Sequence, residues 1–90
     1  MCGIAGCYFN EKKNYFKNFE LIKKISISLN HRGPDNMGYF YDKERKIILS
    51  HNRLAILDLS KKASQPFISS SNNKIISYNG EIYNHLKIRE

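Results

Sequence analysis

An α+β fold with mostly antiparallel strands is what this sequence predicts, and three observations predict it. A short apolar run, Cys2 to Phe9, opens the chain. One stretch, residues 16–29, carries apolar side chains at helical spacing. The remainder is a series of short apolar segments separated by Gly, Pro and Asn turn signals.

The elements follow in order. Cys2 to Phe9 is a buried strand, closed by the polar run Asn10 to Asn14. Over residues 16–29, Phe19, Ile22, Ile25 and Leu29 fall on one helical face, with Lys17, Lys23 and Lys24 mostly away from it. The second half, Ile25-Ser26-Ile27-Ser28-Leu29, alternates with period two and is compatible with a strand; the length of the segment favours a helix. His31-Arg32-Gly33-Pro34-Asp35 is loop chemistry. Met37 to Tyr41 and Lys46 to Ser50 read as a hairpin around an Asp42–Arg45 turn. His51, Asn52 and Arg53 interrupt the apolar pattern before Leu54 to Leu59 resumes it. A polar loop from Ser60 through Ser64-Gln65-Pro66 to Asn73 leads into a strand over Lys74 to Tyr78, ended by the turn signal Asn79-Gly80. A helix is expected to begin at residue 81, and the chain stops within it. The expectation is therefore part of a larger domain.

At 90 residues there is room for one small domain, and 41% hydrophobic content suits a globular chain. No basic leader precedes the first apolar run, and no stretch approaches the roughly 20 apolar residues that span a membrane. A cytoplasmic location without membrane contact is expected. Two cysteines make no disulfide framework there. Cys2 and Cys7 are an odd number of positions apart and would point to opposite faces of a strand, which argues against pairing or a shared metal. Cys7 reads as a small core residue. The net charge of +7 is spread over the chain in pairs, without a nucleic-acid-binding signature, and reads as a solvated surface.

Cys2 follows Met1 directly, and its small side chain makes Met1 a candidate for removal. The mature chain would then begin with a thiol and a free α-amine on one residue. Such an amine titrates near about 7.7–8.0 and can take the thiol proton, so one residue supplies nucleophile and base. The plainer alternative is a small apolar residue after the start codon. Arg53, between apolar segments, suits a carboxylate gripped through two hydrogen bonds; a structural ion pair with Asp58 or Asp35 is the alternative. Asn79-Gly80 can offer a side-chain amide and a backbone N–H to an oxyanion, or be an ordinary turn. His31 and His51 lack the close spacing of structural zinc ligands, and no metal is expected.

Taken together, Cys2-Gly3-Ile4-Ala5-Gly6, His31-Arg32-Gly33-Pro34-Asp35, Arg53-Leu54-Ala55-Ile56-Leu57-Asp58, Ser64-Gln65-Pro66 and Asn79-Gly80-Glu81-Ile82-Tyr83-Asn84 resemble class II glutamine amidotransferases in order and approximate spacing. These are N-terminal-nucleophile hydrolases, and the second and fifth strings resemble the asparagine synthetase branch. The resemblance implies the N-terminal part of an αββα four-layer sandwich. It makes Cys2 the nucleophile and Asn79 and Gly80 the oxyanion donors. Glutamine would be bound by Arg53 at its α-carboxylate, by backbone atoms of Leu54, Ala55, Ile56 and Leu57, by Asn79 and Gly80, and by Glu81 near its amino group.

The resemblance also implies a domain about twice as long, in the usual size range. Residues 1–90 would be a partial glutaminase domain. Its C-terminal part, with a further acidic glutamine-binding residue, and a synthetase domain would be absent. No cofactor is expected in this segment; ATP and magnesium are expected in the synthetase domain. The implied partners are L-glutamine and that domain, and a homodimeric parent is compatible with them. Glutaminase activity is expected of the full-length parent and not of the 90-residue chain alone. The alternatives are an amidotransferase for a sugar or peptide acceptor, or a remnant without catalysis.

Overall fold

The computed structural model of the chain describes residues 2–55, 63–71, 73–80 and 83–89, with the backbone alone for His85. Its centre is the strand β3 (Ile47–Arg53), flanked by β1 (Gly3–Tyr8) and β2 (Asn36–Asp42) in the order β1-β3-β2. Both pairings are antiparallel. Gly3 lies opposite Asn52 and Tyr8 opposite Ile47, while Asn36 lies opposite Arg53 and Asp42 opposite Ile47.

The β2–β3 turn occupies 43–46, one residue later than the sequence suggests. Asp42 sets this register: its Oδ1 accepts from the Arg45 N–H at 3.0 Å, and Lys46 closes the turn at φ 61° in the left-handed region. A second correction concerns His51, Asn52 and Arg53. They do not interrupt the strand but form its buried end, at 1%, 0% and 7% exposure. The backbone ladder to β2 continues through all three and that to β1 through His51 and Asn52, and backbone pairing does not depend on side-chain polarity.

After a 3₁₀ turn, Lys12–Asn14, the helix α1 (Tyr15–Ser28) packs on one face of the sheet. The period-two half is helical. The buried stripe differs from the expected one, because Ser26 is fully buried while Ile25 is 36% exposed. Ile22 and Ser26 are one turn apart and share a face. A hydroxyl belongs there: Ser26 Oγ donates to Ser50 Oγ at 2.7 Å, and the Ser26 carbonyl accepts from Asn52 Nδ2 at 3.0 Å. These contacts place Ser50 and Asn52 on the helix side of β3. Alternation then puts Leu49, His51 and Arg53 on the other side.

Phe9, Ile22 and Ile48 form the core, with Ala5, Cys7, Tyr15, Phe19 and Tyr39 packed against it. Phe19 meets Tyr41 edge-on at 5.3 Å, a favoured aromatic geometry. Cys7 is half-buried at the margin of this core and not fully inside it, and burial pushes its thiol up from the ordinary range. Both cysteines are free.

On the opposite side, β4 (Phe67–Ile68) pairs antiparallel with β5 (Ile75–Ile76). A strand thus lies inside the expected polar loop, and the strand expected over Lys74 to Tyr78 shrinks to Ile75–Ile76. The cause is that Ser77 and Tyr78 bond elsewhere. Ser77 Oγ donates to the Ser50 carbonyl at 3.0 Å, and the Tyr78 N–H to Gln65 Oε1 at 2.6 Å. Leu54 and Ala55 are not in a strand; the rest of that expected strand, 56–59, lies outside the described residues, as do 81 and 82. The helix α2 (His85–Ile88) is a single turn. Among the described residues no helix is long and apolar enough to cross a membrane.

The face away from α1 is incompletely covered. Ile4, Tyr8 and Ile76 are 48%, 73% and 56% exposed, and an open groove of about 470 Å³ runs between Ile4, Gly6 and Leu49 on one side and Ile75 and Ile76 on the other.

Candidate active site

Cys2 stands immediately before β1, opposite the point where the chain leaves β3. That register brings its thiol to Leu54: the Leu54 N–H donates to Cys2 Sγ at 3.3 Å, and the thiol lies 3.8 Å from the Leu54 carbonyl oxygen. An N–H aimed at the sulfur suits a sulfur acting as acceptor, its role once deprotonated. The thiol is half-buried, so it is both held and reachable.

The loop between α1 and β2 ties this corner together. Arg32 Nε donates to the Cys2 carbonyl at 3.2 Å. Asp35 works on the other chain: its N–H donates to the Arg53 carbonyl at 3.0 Å, and its Oδ2 accepts from the Ala55 N–H at 2.8 Å. Gly33 lets the loop lie flat on β3, since a Cβ there would come within 2.2 Å of the Asn52 carbonyl oxygen. Arg32 and Asp35 thus fix the backbone around Cys2 and Leu54, a function that sequence reasoning did not give them. Their placement on either side of Gly33-Pro34 was the available signal, because charged residues flanking a tight loop can bond to backbone on both sides of it.

Arg53 is buried at the end of β3, on the face away from α1. Asn79 is half-buried and Gly80 exposed, directly after Tyr78. Tyr78 in turn is bonded to β3, for its carbonyl accepts from His51 Nε2 at 2.9 Å. The structure therefore gathers Cys2, Arg53, Leu54 and Ala55 at one corner and ties the Asn79-Gly80 segment to the same strand. Ile56, Leu57, Asp58 and Glu81 lie outside the described residues. His31 is exposed, with its Nδ1 3.0 Å from the Ser28 carbonyl.

Ser64-Gln65-Pro66 also takes a place here. Ser64 Oγ accepts from Asn36 Nδ2 at 2.7 Å, and the Gln65 main chain crosses β2 at Gly38, where a Cβ would come within 2.0 Å of the Gln65 carbonyl oxygen.

The sequence that builds this site is similar to known proteins. The glutamine amidotransferase domain family matches residues 1–90, the whole chain. Asparagine synthetase [glutamine-hydrolyzing] 1 of Bacillus subtilis is 37% identical over 92 residues, that of Saccharomyces cerevisiae 38% over 90, and that of Arabidopsis thaliana 33% over 93. Each alignment covers all of this chain but only 14%, 15% and 15% of the respective relative. No solved structure matches the chain significantly. With the family match running from the first residue to the last, the chain belongs to the glutamine amidotransferase domain family.

Proposed function

We propose that this chain is the N-terminal part of the glutaminase half of a glutamine-dependent amidotransferase of the asparagine synthetase type. The observation that carries this reading is the Cys2 thiol held against the backbone of Leu54, the residue that follows the buried Arg53, in a chain of this family. The names of the relatives favour aspartate over a sugar or peptide as the ammonia acceptor.

In this mechanism Met1 is removed and the Cys2 α-amine takes the thiol proton. The thiolate attacks the glutamine carboxamide carbon, forming an S–C bond. Asn79 Nδ2 and the Gly80 N–H stabilise the oxyanion. The amine returns its proton to the amide nitrogen, the C–N bond breaks, and ammonia leaves a glutamyl thioester. Water, deprotonated by the same amine, then releases glutamate and restores the thiol. Arg53 holds the α-carboxylate, and the backbone of Leu54, Ala55, Ile56 and Leu57, with Glu81, lines the pocket. ATP and magnesium would act in a synthetase domain, activating aspartate for amidation; no step at Cys2 passes through them.

The fold extends in the same reading to a four-layer αββα sandwich. The exposed Ile4, Tyr8 and Ile76 and the groove between β1, β3 and β5 support a second sheet layer on that face.

Arg53→Ala in the full-length protein tests the pocket. A clamp on a group remote from the reacting carbon contributes equally to ground and transition states. The glutamine KM should rise by about 10–100-fold, the range for a lost charged hydrogen bond of about 1.5–3 kcal/mol, with kcat nearly unchanged. Steady-state ammonia release from glutamine gives the two constants separately, and a fall in kcat alone would remove Arg53 from the binding role.

A further inference from the structure

The peptide units around Tyr78 are held from two directions by side chains from elsewhere in the chain. Gln65 Oε1 accepts from the Tyr78 N–H at 2.6 Å, and His51 Nε2 lies 2.9 Å from the Tyr78 carbonyl. A carbonyl can only accept, so Nε2 carries the ring proton. We infer that His51 and Gln65 are positioning residues, forming a clamp on Tyr78 that sets the placement of the Asn79 and Gly80 oxyanion donors relative to Cys2.

Three features carry this role. The clamp grips the residue immediately before Asn79, and the Tyr78 carbonyl belongs to the peptide that leads into it, so the plane from which Asn79 starts is oriented. His51 is fixed on β3, the strand whose exit at Leu54 holds the Cys2 thiol, so both halves of the site are referred to one rigid element. Finally, His51 is 1% exposed and its Nδ1 has no hydrogen-bond partner among the described residues. Burying a ring nitrogen without a partner is costly, and an apolar side chain would fill the same space more cheaply. The bond made by the other nitrogen is what distinguishes histidine here. Gln65 is anchored in the same manner, its main chain seated on Gly38 of β2 with no room for a larger residue there.

This role rests on the reading of Asn79 and Gly80 as oxyanion donors, and the experiment separates the two. In the full-length protein, His51→Leu and Gln65→Leu should each lower the glutaminase kcat by roughly 10–100-fold, the scale of a misplaced catalytic group, with the glutamine KM little changed. His51→Gln keeps an N–H donor and Gln65→Glu keeps an acceptor for the Tyr78 N–H, so each should recover most of the lost kcat. Added to Asn79→Ala, His51→Leu should cost less than it does alone, because one of the two donors it positions is already gone and only the Gly80 N–H remains to be misplaced. A merely structural histidine would give additive losses and a raised KM. If Asn79→Ala lowers kcat but both leucine variants leave it unchanged, or the conservative variants fail to rescue, the clamp is wrong. If Asn79→Ala leaves kcat unchanged, the oxyanion reading fails first. Gln65 is only half-buried, so its leucine variant reports on the clamp even where His51→Leu fails to fold.

Discussion

Cys2→Ala in the full-length protein is expected to abolish glutamine-dependent amidation while sparing synthesis from free ammonia. The thiol is the only nucleophile that the chain itself supplies in the proposed cycle, and deleting such a nucleophile costs on the order of a million-fold in kcat, below the detection of an ammonia assay. Ammonia supplied in solution bypasses Cys2, so the synthetase reaction should proceed at its ordinary rate. The substitution is small and removes one sulfur from a half-buried position, so the fold around it should persist. Cys7 cannot substitute, because it lies against the Phe9–Ile22–Ile48 core with its thiol pushed up by burial and so kept protonated. Equal loss of both activities would instead mean that Cys2 supports the fold.

The next largest effect is expected from Asn79→Ala, a fall of about 100–1,000-fold in kcat with the glutamine KM nearly constant. An oxyanion donor acts mainly where negative charge develops, which is the tetrahedral intermediate and not the bound amide. The remaining Gly80 N–H leaves some stabilisation, so the variant should retain measurable activity, unlike Cys2→Ala. Pre-steady-state release of ammonia would place the loss in thioester formation. A change confined to KM would make Asn79 a binding residue and move the oxyanion contacts elsewhere.

Much of this was legible in the residues, and the exceptions have physical causes. The apolar spacing of α1 follows from periodicity, because burial of one face dictates where apolar residues stand; β1 is a strand as its apolar run suggested, but it is not buried, since Ile4 and Tyr8 lie exposed on the face away from α1. Ser26 escaped that logic. It is buried through a bond to Ser50, a residue 24 positions away whose facing position only the tertiary structure reveals. His51, Asn52 and Arg53 failed for the opposite reason: polarity suggested an interruption, yet a strand continues wherever its backbone is paired. Cys2 stood out as the candidate nucleophile because the proposed chemistry depends on chain position, which a sequence states directly. Gln65 was legible only as part of a string. Its bond to Tyr78 spans 13 positions, and its seat on Gly38 depends on how β2 is covered, neither of which has a local signature.

The central claim is that Cys2 is an N-terminal nucleophile whose own amine serves as its base. Peptide mass mapping of the full-length protein, after exposure to a glutamine analogue with an electrophilic carbon in place of the carboxamide, tests it most directly. The account predicts that Met1 is absent, that the adduct sits on Cys2 and not Cys7, and that glutaminase activity falls in proportion to labelling while free glutamine protects. An active enzyme that retains Met1, or inactivation with Cys2 unmodified, would contradict it.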